Sequence, residues 1–287
     1  MEILKNISLK KYNTFKIGGR TKFFCVAKDK EDIVKAITLA GKQNLPFFIL
    51  GAGSNLLISD KGFSGLIIKM QNTNYKLQNT KIFAGAGAKL AELLNVSVKN
   101  ELAGLEWAIG IPGTVGGAIF GNAGAFGKSM KNIIGEVKVF NIKTGKIESF
   151  KNKKCEFGSR KSIFKKNRNL IILSAEIRLK KDDKKNIKSR LEKFLEHRRE
   201  SQPLDFPSAG SVFMNPNNFS AGKLIENCGL KGKRIGSAEI SKKHANFIVN
   251  LGEARAKDVI KLINLAKKSV KNKFHIILEE EIQYFGF

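Results

Sequence analysis

Cysteine is scarce in this chain: Cys25, Cys155 and Cys228 stand far apart, with no CxxC pair among 287 residues. That excludes a zinc site built on cysteine pairs and the framework of a disulfide-stapled domain, and it fits a reducing compartment. No window approaches the ~18 unbroken apolar residues of a membrane span. The opening MEILKNISLKKYNTF lacks the apolar core and small-residue cleavage site of a secretory signal. A cytoplasmic protein without a membrane partner is the expectation. Acidic residues are also few, 25 against 52 Lys and Arg, for a net charge of +27. Such an excess invites a nucleic-acid reading, because cations on phosphates release counterions. However, Lys outnumbers Arg by 43 to 9, whereas phosphate readers favour the bidentate Arg fork. The charge is spread over the whole chain together with abundant Asn, Ile and Phe, as a coding bias toward A and T would produce. The densest run, Lys180 to Lys193, is interrupted by Asp182, Asp183 and Glu192 like a solvated helix face. No nucleic-acid partner is expected.

What the chain has instead is glycine in one place. Between Gly104 and Gly127, GLEWAIGIPGTVGGAIFGNAGAFG, eight of 24 residues are glycine, four are alanine, and Glu106 is the only charge. Trp107, Ile109, Ile111, Val115, Ile119, Phe120 and Phe126 make the stretch apolar enough to bury. Its glycines make it too irregular for one helix or strand. Such a segment suits close approach to something flat and phosphorylated.

Around it the chain alternates strand-like and helix-like pieces. Strands are expected at Phe23–Ala27, at 47–50, at 65–70, at 81–87 and at 170–179. Helices are expected at 29–43, with Asp29 as cap, and at 88–102. EVKVFNIKTGKIESF reads as a hairpin turning at TGK. A charged helix over 182–199 leads to QPLDFPSAGSVFMNP, where the character changes. Beyond it come a short helix at AGKLIENCG, a strand at 244–250, a helix from Ala256 to about Lys271, and a final strand FHIILEEEIQYF. The expected boundaries are a first domain at 1–181, in subdomains of about 1–72 and 73–181, and a second at 182–287.

Two short motifs are tested by elimination. Gly51-Ala-Gly53-Ser54-Asn55-Leu56 follows a strand, but Leu56 replaces the third glycine of a Rossmann fingerprint and no acid closes the unit. Gly127-Lys128-Ser129 has Asn122 where a P-loop needs glycine. What survives is a pair of loops about sixty residues apart, Gly51, Gly53, Ser54 and Asn55 in one and Gly113, Thr114, Gly116 and Gly117 in the other. Each offers consecutive amides suited to a pyrophosphate, and together they point to a dinucleotide.

The order of motifs carries more. YNTFKIGG (12–19), LGAGSNLL (50–57), the block at 104–127, SRKSIFK (159–165), PSAGSVFMNP (207–216), LIENCGLKG (224–232), HANFIVN (244–250) and LEEEIQYFG (278–286) closely resemble the UDP-N-acetylenolpyruvoylglucosamine reductase family. The resemblance spans nearly the whole chain. It implies an α+β protein: an FAD-binding fold of the vanillyl-alcohol-oxidase type in two subdomains, then a C-terminal α+β substrate-binding domain. It also implies non-covalent FAD, NADPH as reductant, UDP-N-acetylglucosamine-enolpyruvate as substrate, no metal, and a monomer. Hydride from flavin N5 and a proton would reduce the enol ether. Arg160 would hold and polarise the substrate carboxylate, Ser211 would donate the proton, and Glu281 would pair with Arg160 or act as an acid. The two glycine loops would hold the pyrophosphate, with Asn122 and Ala123 nearer the flavin, and Asn215 and Glu226 around the phosphosugar.

The chain departs from the family pattern at Ser159 (usually tyrosine), Met214 (commonly lysine) and Gln283 (commonly basic). With only Tyr12, Tyr75 and Tyr284 available, and little room after Ser162, the short form without the extra tyrosine-bearing loop fits. Another flavin oxidase on the same fold is the alternative. Many such oxidases tether the flavin through a histidine of the FAD domain, but His197, His244 and His275 all lie after residue 181. A non-enzymatic RNA-binding protein is the rival from a different class.

Overall fold

Asp29 starts the first helix of the computed structural model, which describes residues 1–287. Its carboxylate accepts from the Asp32 amide at 2.7 Å, and Ile33, Ala36, Ile37 and Ala40 of α1 (Lys30–Lys42) face inward at helical spacing. Helix α2 (Leu90–Lys99) is shorter than the expected 88–102 because its flanks are used elsewhere. The Ala88 carbonyl accepts from Val115 N, and Leu102–Ala103 pairs with Lys180–Lys181. The remaining helices are α3 (Val115–Phe120), α4 (Ile163–Lys166), α5 (Lys184–Ser201), α6 (Ala221–Asn227) and α7 (Ala256–Phe274). No helix is long and apolar enough to cross a membrane.

The chain divides into two compact units, each discontinuous in sequence: residues 1–3, 25–52 and 67–198, and residues 4–24, 53–66 and 199–287. This division does not coincide with the contiguous boundary expected after residue 181. Most of α5 goes with the first unit, and two segments from the first sixty-six residues go with the second.

The first unit holds a five-stranded antiparallel sheet in the order Lys146–Lys151, Ile134–Asn141, Leu170–Arg178, Lys81–Gly85, Tyr75–Gln78. The expected hairpin closes it, with Asn141 opposite Lys146. Leu170–Arg178 is the central strand, and the near-continuous burial of Leu170 to Leu173 reflects cover on both faces.

The second unit has a four-stranded sheet in the order Ser208–Ser211, Phe247–Asn250, Ala238–Ile240, Arg234–Ile235. α6 and α7 pack an apolar core that includes Phe15, Ile17, Val212, Phe213, Ile225, Leu262 and Ile282. The final strand is much shorter than the sequence pattern implies. α7 runs on to Phe274, where His275 ends it in the left-handed region at φ 58°. Only Gln283–Phe285 is strand, paired in parallel with Leu56–Ile58. Glu279, Glu280 and Glu281 precede this strand, and their backbone is held by other bonds.

Candidate active site

The two glycine loops meet within the first unit. A β-carbon on Gly51 would lie 2.6 Å from Thr114 Oγ1, so only glycine allows this approach. Thr114 caps α3, its hydroxyl accepting from Gly117 N at 3.4 Å. The loop is fastened to the 86–90 segment by Leu90 N to Gly113 O at 3.0 Å, Val115 N to Ala88 O at 2.9 Å and Gly116 N to Ala86 O at 2.8 Å. The amides of Val115 and Gly116 are thus engaged in the scaffold. Gly116 serves close packing, since a β-carbon there would sit 2.9 Å from that of Ala86. Gly53, Ser54 and Asn55 of the first loop belong to the second unit, where Gly53 O accepts from Thr14 N at 3.3 Å.

Further along the glycine-rich stretch, Asn122 is buried with φ 43°. Its side chain donates to Gly158 O at 2.8 Å and accepts from Lys131 N at 2.9 Å. This ties the 122–124 loop to a tight turn in which Gly158 and Lys161 pair. Arg160, at φ 52°, sits in that turn, and its guanidinium donates to Gly124 O at 3.2 Å. Ser162 Oγ donates to Phe120 O at 2.7 Å. Residues far apart in sequence, Asn122, Ala123 and Arg160, are therefore brought together on one unit.

Two features here escaped the sequence reading. Glu106, the lone charge of the stretch, is only 6% exposed. It accepts from Gly104 N at 2.6 Å and from Arg190 Nε and a terminal nitrogen at 2.9 and 2.7 Å; Arg190 also meets Asp182 at 2.5 Å. Phe126 stacks on Phe194 with ring centroids 4.1 Å apart, and the Arg198 guanidinium lies 5.3 Å from the Phe126 centroid. α5, expected in the substrate domain, is thus a clamp on the glycine-rich stretch. The second feature is Lys69, half-buried on the strand Phe63–Met70, whose ammonium donates to the Gly51 carbonyl. Burial, and secondarily the nearby Lys89, holds its pKa below the ordinary lysine value.

The second unit brings Ser211 and Glu281 onto adjoining segments. The pairing of Ser208–Ser211 with Phe247–Asn250 slips register between Ser208 and Ser211, and Gly210 there takes φ 77°. A bulge of this kind re-aims the side chain that follows it. Beyond it, Glu281 N donates to Val212 O at 2.8 Å and Met214 N to Glu279 O at 2.9 Å. Asn55 Nδ2 donates to Glu281 O at 3.0 Å. Asn246, 4% exposed, clamps the backbone of Phe213 by two bonds of 2.9 Å, a positioning role not anticipated for the HANF motif. His244 packs edge-on to Phe247. Asn215 is exposed and accepts from Ala221 N at 3.0 Å, holding the start of α6. Glu226 pairs with Lys231 at 3.0 Å and Lys223 at 3.5 Å. Glu280, not Glu281, meets Lys267, at 2.9 Å.

The donor set of the first unit suits a nucleotide diphosphate: two glycine loops in contact, and beneath them a lysine that no carboxylate neutralises. Comparison with known proteins agrees. An FAD binding domain matches residues 21–151, and the C-terminal domain of UDP-N-acetylenolpyruvoylglucosamine reductase matches residues 202–285. Curated relatives of that name from Caldanaerobacter subterraneus subsp. tengcongensis and Caldicellulosiruptor bescii are 42% and 43% identical. They align over 99% and 100% of this chain and 96% and 91% of their own. The crystal structure of the reductase from Thermus caldophilus matches with a TM-score of 0.85 at 35% identity, over 99% of this chain and 98% of that one. The expected α+β, FAD-binding architecture is the one observed. With similarity over essentially its whole length, the chain belongs to the UDP-N-acetylenolpyruvoylglucosamine reductase family.

Proposed function

We propose that this chain reduces the enolpyruvyl ether of UDP-N-acetylglucosamine-enolpyruvate to UDP-N-acetylmuramate for peptidoglycan synthesis, with bound FAD and with NADPH as reductant. The first half of that reading rests on family membership and the FAD-binding match. NADPH and a monomeric state are carried by the resemblance, and a cytoplasmic location by the sparse, unpaired cysteines.

The chemistry FAD supplies when bound is hydride transfer; binding, polarisation and the proton fall to the chain. Gly51, Gly53, Ser54, Asn55, Gly113, Thr114 and Gly117 are assigned to its diphosphate, with Gly116 packing the loop against Ala86, and Asn122 and Ala123 are assigned to its ring system. Adding hydride to the vinyl carbon places negative charge on the carbon beside the substrate carboxylate and spreads it over the carboxylate oxygens. A cation there and an acid at the carbon are what catalysis needs. Arg160 is the cation, with a planar fork that matches a carboxylate. Ser211 is the acid. A serine hydroxyl donates only to a strongly basic centre from which water is excluded, which an enolate carbon is. Glu281 supports the transfer from the adjoining segment. Asn215 and Glu226 are assigned to the phosphosugar.

The observation that carries these roles is the pairing of 212–214 with 279–281, which holds Ser211 and Glu281 on neighbouring backbone segments. Turnover tests the function: NADPH oxidation should require the UDP-enolpyruvyl sugar, and oxidation that runs equally without it would refute the assignment. In Ser211→Ala, flavin reduction by NADPH should persist while reoxidation by substrate slows by about two orders of magnitude or more. Equal loss in both half-reactions would remove Ser211 from the proton-donor role.

A further inference from the structure

Lys69 is the odd residue of its strand. Leu66, Ile67, Ile68 and Met70 around it are all at most 4% exposed, yet the side chain between them is a cation. Withdrawing an ammonium from water is unfavourable unless a counter-charge or several acceptors replace the lost hydration. No carboxylate pairs with Lys69; its ammonium bonds the Gly51 carbonyl. The neighbouring charge is Lys89, of the same sign. Lys89 is also the residue whose backbone pairs with Thr114, and Gly51 is in turn pressed against Thr114. Lys69, Gly51 and Thr114 thus form one connected group at the contact between the glycine loops, with the backbone of Lys89 fastened to it and the Lys89 ammonium turned to Glu92 at 3.6 Å. The Lys69 charge in that group has no carboxylate partner, and an anion at the loop contact would neutralise it.

We propose that Lys69 is the positioning residue for the diphosphate of the flavin nucleotide, its ammonium both holding the Gly51 loop by the carbonyl and supplying the positive charge that the diphosphate neutralises. The inference rests on reading the two loops as the flavin's diphosphate site. A glycine loop alone offers amide dipoles. A lysine fixed beneath it adds a full charge at little entropic loss, because its ammonium is already held by the Gly51 carbonyl. A purely structural lysine, one that only caps the end of the Phe47–Leu50 strand, would leave affinity insensitive to charge and to salt.

The test is the equilibrium dissociation of FAD from the full-length holoprotein, followed by flavin fluorescence on dilution, for wild type, Lys69→Met and Lys69→Arg at low and high salt. Lys69→Met should weaken FAD by roughly tenfold or more at low salt, and the gap to wild type should narrow at high salt as the charge is screened. Lys69→Arg, which keeps the charge, should stay within about threefold of wild type. A Lys69→Met affinity within about twofold of wild type would overturn the proposal, as would an equal, salt-independent loss in both variants, which marks packing alone. Where Lys69→Met fails to fold, Lys69→Gln takes its place under the same criteria. Wild-type protein that binds no FAD would overturn the reading of the site itself, a result distinct from either of these.

Discussion

Arg190→Met isolates what the α5 clamp contributes. The substitution keeps the length and apolar stem of the side chain but removes the bond to Asp182 and the two bonds to Glu106, whose carboxylate stays in place at 6% exposure. Removing one partner of a fully buried ion pair costs about 3–5 kcal/mol, because the other charge is left without compensation. Here the Arg190 side chain is 39% exposed, so part of the attraction is already screened, and Glu106 keeps its bond from Gly104 N. A loss of about 2 kcal/mol follows from that discount. For a chain of this size it corresponds to a fall in Tm of about 4–8 °C. Trp107, the single tryptophan, adjoins Glu106 and is 1% exposed, so its fluorescence in urea reports unfolding of this very segment. Adding Glu106→Gln neutralises the stranded charge and should recover about half of the loss. A single variant within about 0.5 kcal/mol of wild type, or a double variant no more stable than the single one, would refute the clamp.

Three further outcomes follow from the geometry. Gly51→Ala should drive the loops apart and release FAD, while Gly51→Ala with Thr114→Ala, which deletes the hydroxyl 2.6 Å from the new β-carbon, should regain part of the binding; dilution of the holoprotein measures both. Asn246→Leu should leave the Phe213 amide and carbonyl unsatisfied in the core at about 2–4 kcal/mol, with kcat lowered more than KM rises, as measured by urea unfolding and steady-state assays. Iodoacetamide at pH 8 should label Cys228 first, as read by mass spectrometry. Cys155, fully buried with its thiol pushed up to about 12, and Cys25, pushed up to about 11 by burial and then by Asp32, should react only on unfolding. Because the folded protein keeps these two protons where the unfolded chain loses them, their contribution to stability is full below about pH 9 and is lost as pH rises toward 12.

Much of this protein is decided locally, and the sequence alone determined that part. Asp29 before an apolar period of three to four, the TGK turn between alternating runs, and the unbroken LIIL strand each act over a few residues, so pattern suffices. The glycine loops and the order of motifs nominate Gly51, Thr114, Asn122, Arg160, Ser211 and Glu281 for the roles proposed above. The largest departure among the elements was the C-terminal run. FHIILEEEIQYF has strand-like composition, yet α7 claims its first residue, and the backbone at Glu279 and Glu281 bonds to the 212–214 segment. Only tertiary structure decided where the charges go. Glu106 and Arg190 are 84 residues apart, so nothing in a local window pairs that acid with Arg190 rather than with another cation of the charged helix. Lys69 reads as one more cation among 52 until the Gly51 carbonyl is set above it. The physical reason is range. Periodicity and capping are encoded within a turn or two, whereas burial of a charge depends on which distant segments close over it.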